Sequence, residues 1–211
     1  MFRFYLFGFP VTVELWFWVS CFLLFGGLQM QSWTDVASLA EVAIWIILAF
    51  LSILAHELGH ASMARRYSAT PEILLHAFGG VTVPHGARFN RKQDLLFVGA
   101  GPGASLALVA LAWFALNVVP IQNADWDNAF RRLFGLNLTW AIFNLLPILP
   151  LDGGQLLRTA LGDRRLRITA TVGFVTAVLV AILGLLSHSV LLTLFMAMFA
   201  YENWRLRETT R

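Results

Sequence analysis

The chain has 211 residues, 58% of them hydrophobic and only 13% charged, against roughly half and a quarter in ordinary soluble domains. That balance excludes a molecule solvated by water over its whole surface, and no Ser-, Gly- or Pro-rich linker divides the chain into separate domains. The net charge of +3 comes from Arg clusters between apolar runs, which excludes nucleic acid as the natural partner, and the single cysteine, Cys21, excludes an intrachain disulfide or a cysteine-based metal cluster.

A spanning helix needs roughly 20 mostly apolar residues. Such stretches fall near 11–29, 36–64, 95–118, 130–148, 167–186 and 189–205. The expected fold is therefore all-α and polytopic, with about six transmembrane helices in one integral-membrane domain over 1–211. Arg3 before an apolar run could mark a signal peptide, but the run continues past Cys21 to about Leu28, so a retained first span is expected. Ser32-Trp33-Thr34-Asp35 is a plausible cap for the second span.

Between the second and third spans, Ile73-Leu74-Leu75 and Phe78-Gly79-Gly80-Val81-Thr82-Val83-Pro84 predict two short strands around a glycine turn, a small hairpin or sheet. Its edge offers strand addition to an extended peptide. The fourth span ends at Pro147 and Pro150, since proline breaks the helical hydrogen-bond ladder. Alternate loops divide the basic residues unequally: Arg131 and Arg132 fall on one side, and all the other Lys and Arg, from Arg3 to Arg211, on the other. That asymmetry predicts a cell-membrane protein with both termini cytoplasmic.

The chemistry is concentrated in His56-Glu57-Leu58-Gly59-His60, near the cytoplasmic end of the second span. On a helix, histidines four apart share a face, so both imidazoles can bind one metal, with Glu57 placed to take a proton from an activated water. Ionisable groups at this depth cost several kcal/mol unless they are paired or used. The bland alternative is a polar stripe of Ser52, His56, Gly59 and His60 that only packs against neighbouring helices, which leaves Glu57 without a reason. A tetrahedral zinc needs a third protein ligand and one open position. Asp152 supplies it in Asn144-Leu145-Leu146-Pro147-Ile148-Leu149-Pro150-Leu151-Asp152-Gly153-Gly154, where the broken helix brings the carboxylate to about the depth of the histidines under that topology. Asp152 could instead only cap a short helix running to about Leu161, and Asn144 could instead only bond a neighbouring helix. Gly153 and Gly154 would let the backbone approach the site closely. His76, His85 and His188 are expected at ordinary hairpin or loop positions.

These two segments together resemble the site-2 protease family of intramembrane zinc metalloproteases, densely over 50–155 and loosely elsewhere. Phe78-Gly79-Gly80 resembles that family's strand beside the active site, and Gly99-Ala100-Gly101-Pro102-Gly103 its glycine-rich helix entry. The resemblance implies one zinc per chain held by His56, His60 and Asp152, Glu57 as catalytic base, and Asn144 as an intermediate-stabilising or substrate-contacting residue. It implies substrates that are membrane-anchored proteins, such as anti-sigma factors or tethered transcription regulators, cut within the lipid bilayer. It points to a short prokaryotic-type member, without room for a PDZ or CBS domain in these stretches. The competing expectations are a non-catalytic metal-binding scaffold or transporter, and a non-haem iron site built on the same two-histidine, one-carboxylate set.

Overall fold

The computed structural model describes residues 1–24 and 36–210, which form two compact units, 1–88 with 103–140 and 89–102 with 141–211. The cap expected at Ser32 to Asp35 lies outside the described residues.

In the first unit, β1 (Phe2–Leu6) and β2 (Phe9–Val13) form a hairpin, turned at Phe7 and Gly8, whose φ angles are 52° and 82°. The short helix α1 (Leu15–Leu24) and the long helix α2 (Val36–Arg66) follow, then β3 (Thr70–His76) and β4 (Gly79–His85). The sheet order is β1-β2-β3-β4, with β2 and β3 parallel, the helices α1 and α2 supplying the long crossover a parallel pair needs, and the two hairpins antiparallel. The β3–β4 hairpin lies where the sequence placed it, but its turn is Ala77 and Phe78, and Gly79 and Gly80 are the first residues of β4 rather than the turn itself. The N-terminal hairpin corrects the expected first span over 11–29: Val11 to Val13 is strand, and helix begins only at Leu15. A short apolar run reads alike as buried strand or helix, and the β-branched Val11, Thr12 and Val13 find ladder partners on both sides. Residues 25–29 of that expected span are outside the described set.

Alternation along the strands buries Phe9, Val11, Val13, Ile73 and Leu75 against Ala49, Ile53, Leu54 and Ala61 of α2. The sheet is therefore fixed on the helix that carries the His-Glu-x-x-His motif, which positions β4 beside it.

Helices α3 (Arg91–Val118) and α4 (Ala124–Asn144) contribute to both units. The second unit adds α5 (Asp152–Leu161), a single 3-10 turn at Asp163–Arg165, α6 (Leu166–Leu186) and α7 (Val190–Thr209). Its core gathers Ile148, Ala177, Met196, Phe199 and Ala200. The start of α3 is tied to the end of α5: Thr159 donates to Asp94, and Arg91 donates to the carbonyl of Ala160.

Among the described residues, three helical stretches are long and apolar enough to cross a membrane: Ser38–Arg66, Arg91–Val118 and Asp163–Leu186. They expose large apolar side chains, among them Ile47, Leu111, Phe114, Leu179 and Leu183. A water-soluble surface does not carry such stretches, and lipid solvates them. The chain is an integral membrane protein. The expected fourth and sixth spans are also helices, α4 and α7, with charged residues in their first or last turns.

Candidate metal centre

Within α2, His56 and His60 stand one turn apart and are 2% and 6% exposed, with Glu57 between them at 3%. Their Nε2 atoms are 3.2 Å apart and their rings nearly perpendicular, at 75°. Two nitrogens each about 2.0–2.1 Å from a tetrahedral zinc would lie roughly 3.3–3.4 Å apart. The pair thus fits a shared metal, and His56, Glu57 and His60 place one ligand atom each within 4.8 Å of one another.

Neighbouring elements orient both functional groups. His56 Nδ1 is 3.0 Å from Ser105 Oγ of α3, and both are buried. A proton held on Nδ1 by that hydroxyl leaves the Nε2 lone pair facing His60, the arrangement in which a ligating histidine is held from behind. Thr82 of β4 donates to Glu57 Oε2 at 2.7 Å, its hydroxyl also lying 3.1 Å from the Glu57 carbonyl. Next to it, a Cβ at Gly80 would stand 2.5 Å from Glu57 Cγ and 2.7 Å from Oε1, so only glycine lets the strand pass this close. Trp140 of α4 and His56 form a T-shaped pair with ring centroids 6.4 Å apart. One turn before His56, Ser52 accepts a hydrogen bond from Asn137 of α4 at 2.9 Å, so the packing role considered for the polar stripe holds for Ser52, while His56 and His60 face each other.

The second unit holds the other two residues singled out in the sequence. Asn144 ends α4, and Asp152 opens α5, 9% exposed. Leu151 occupies the cap position with no side-chain cap bond, so Asp152 is a first-turn residue, where the helix dipole favours a carboxylate. Gly153 and Gly154 press on the backbone of the preceding turn: a Cβ on Gly153 would collide with the carbonyls of Leu145 and Leu146, and one on Gly154 with Ile148 and the Leu149 nitrogen.

The remaining histidines sit where the sequence put them. His76 accepts a bond from the Phe78 amide in the β3–β4 turn, His85 lies 3.9 Å from Glu72 at the end of β4, and His188 occupies the α6–α7 turn. Ser105 and Thr82 were not anticipated, since a lone hydroxyl in an apolar helix or strand gives no local signal of its partner.

Ser105→Ala is expected to weaken zinc binding by roughly tenfold to a hundredfold while the fold persists. Titration of the purified protein against a chromogenic chelator reads this, and wild-type affinity would remove Ser105 from the centre.

Peptidase family M50 matches residues 118–187, a segment that includes Asn144 and Asp152. The Mycobacterium tuberculosis protein Rip3 is 34% identical over 172 residues, covering 74% of this chain and 42% of that protein. The zinc metalloprotease MJ0392 of Methanocaldococcus jannaschii is 32% identical over 173 residues, covering 75% and 48%. This chain thus spans about half the length of the curated relatives it matches. The solved site-2 protease from Methanocaldococcus jannaschii superposes with a TM-score of 0.69 at 27% identity, over 98% of this chain and 94% of that one. The relatives are named zinc metalloproteases, and His56, Glu57 and His60 form the cluster in this chain that could hold a metal. The chain thus carries a peptidase family M50 (site-2 protease) domain, with relatives named zinc metalloproteases and the fold of a solved site-2 protease.

Proposed function

We propose that residues 1–211 act as one integral-membrane protease domain that hydrolyses peptide bonds in the transmembrane segments of membrane-anchored proteins. The observation that carries this is the buried His56–His60 pair, its Nε2 atoms 3.2 Å apart, on a helix apolar enough to span a membrane, with Glu57 alongside. His56, His60 and Asp152 would hold zinc, a set of two imidazoles and one carboxylate that matches the donors catalytic zinc takes. Zinc at such a site polarises a carbonyl and brings the pKa of water toward neutrality.

The protein's own groups do the rest. Glu57 takes a proton at its carboxylate and returns it to the leaving amine, and Thr82 and Gly80 fix where that carboxylate points. Ser105 keeps Nε2 of His56 turned to the metal. Asn144 donates its amide to the oxygen on which charge develops. A substrate helix has to unwind locally, since its amides are bonded to one another and shielded. The outer edge of β4 suits the unwound segment by strand addition. Anti-sigma factors and tethered transcription regulators are the substrate class the family resemblance points to. Both termini and the active side face the cytoplasm, a placement supported by the side on which all Lys and Arg except Arg131 and Arg132 fall.

The test is cleavage of a panel of single-span membrane proteins by the purified protein in liposomes, before and after stripping the metal with a chelator and restoring zinc. Cleavage that disappears and returns with zinc supports the proposal. Stoichiometric zinc with no cleavage of any substrate would favour the metal-binding scaffold.

A further inference from the structure

Asn203 lies in α7, in the last expected span, yet it is only 1% exposed. An amide withdrawn from water costs stability unless its polar groups are bonded, and here they are used on one residue of another segment. Asn203 Oδ1 accepts the Leu149 amide at 3.3 Å, while Nδ2 donates to the Leu149 carbonyl at 2.7 Å and to the Phe199 carbonyl of its own helix at 2.8 Å. Leu149 stands between Pro147 and Pro150, in a turn between α4 and α5 where neither helix supplies its backbone with partners. Asn203 supplies both. Neighbouring α6 leaves room for this: a Cβ on Gly173 would strike Asn203 Oδ1 and lie 3.3 Å from the Pro147 carbonyl.

The clamped residue is also a support for α5. A Cβ at Gly154 would meet the Ile148 carbonyl and the Leu149 nitrogen, so the first turn of α5, with Asp152 at its head, rests directly on the backbone that Asn203 holds.

We infer that Asn203 is a positioning residue for Asp152, fixing the proline turn so that the carboxylate is presented to the metal. The inference rests on Asp152 being a zinc ligand. Asn203 touches neither metal nor substrate in this scheme and acts through Leu149.

The experiment is a double-mutant cycle on zinc affinity, measured by chelator competition on the full chain in detergent for wild type, Asn203→Leu, Asp152→Ala and the double variant. Asn203→Leu is expected to weaken zinc binding roughly tenfold or more. Asp152→Ala should weaken it further, and the double variant should be no weaker than Asp152→Ala alone, because a residue acting only through Asp152 has nothing left to position. Hydrogen exchange in the peptide over 146–152 should quicken in Asn203→Leu. Wild-type zinc affinity in Asn203→Leu, with Asp152→Ala impaired, overturns the inference and leaves the ligand assignment standing. Losses that simply add mean a general structural role and also overturn it. Wild-type affinity in Asp152→Ala removes the ligand assignment and the inference with it. Should Asn203→Leu fail to fold, Gly173→Ala keeps the amide but pushes it off Leu149, and the same loss of zinc is expected.

Discussion

Glu57→Gln is expected to abolish cleavage while leaving zinc in place. Glutamine has the size of glutamate, so it fits beside Gly80 and can still accept the Thr82 hydroxyl, but it cannot take a proton. General acid–base catalysis contributes about a hundredfold to ten-thousandfold, and a base that also protonates the leaving group serves twice. The measurement pairs cleavage of a single-span substrate with metal content. Its discriminating value comes from the cluster itself: the Glu57 carboxylate lies within 4.8 Å of both histidine ligand atoms and could in principle bind the metal. A ligand role predicts that Glu57→Gln loses zinc. A base predicts zinc retained at wild-type stoichiometry with no turnover, and His60→Ala, as the control, loses the metal.

The second large effect is expected at the glycine pair after Asp152. Valine at Gly153 or Gly154 would place its Cβ into main-chain atoms of 145–149, not into a side chain that could swing away. Overpacking costs typically about 1–3 kcal/mol when side chains can adjust, so a collision with backbone should lie at the upper end or beyond. Because α5 must lift off the turn to relieve it, Asp152 moves too, and zinc affinity should fall with thermal stability. Gly103 of α3 is the contrast: nothing lies within 4 Å of its Cβ position, and Gly103→Ala should be neutral or add up to about 1 kcal/mol. Thermal unfolding of the three variants with and without added zinc reads both effects. Equal stability of Gly154→Val and Gly103→Ala would contradict the close packing of α5 on its preceding turn.

The parts of this site that were legible in the sequence are those whose meaning is local. His56, Glu57 and His60 announce themselves because four-residue spacing on a helix fixes a common face, whatever surrounds it. The β3–β4 hairpin was readable from its two apolar runs, although Gly79 and Gly80 pair within β4 and the turn falls at Ala77 and Phe78, and α5 was readable from the prolines that precede it. The N-terminal hairpin was not, because Phe9 to Val13 is apolar enough to pass for the start of a span, and what decides between strand and helix is the β1 and β3 partners, the latter 62 residues away in each β2–β3 pair of the register. Ser105, Thr82 and Asn203 were hidden for the same reason. None belongs to a local motif, and the role of each lies in what it bonds: His56, Glu57 and Leu149. Asp152 was placed at a helix start from sequence, but its position inside the first turn, not at the cap, needed the backbone.

The most direct test of the central claim is to map the bond that is cut. A single-span substrate would be incubated in liposomes with the zinc-loaded protein, and the product termini read by mass spectrometry. The proposal predicts a cut inside the hydrocarbon-spanning segment and a rate that falls when helix-weakening residues there are replaced by Leu or Ala. A cut confined to the water-exposed flanks, at a rate indifferent to those replacements, would contradict it.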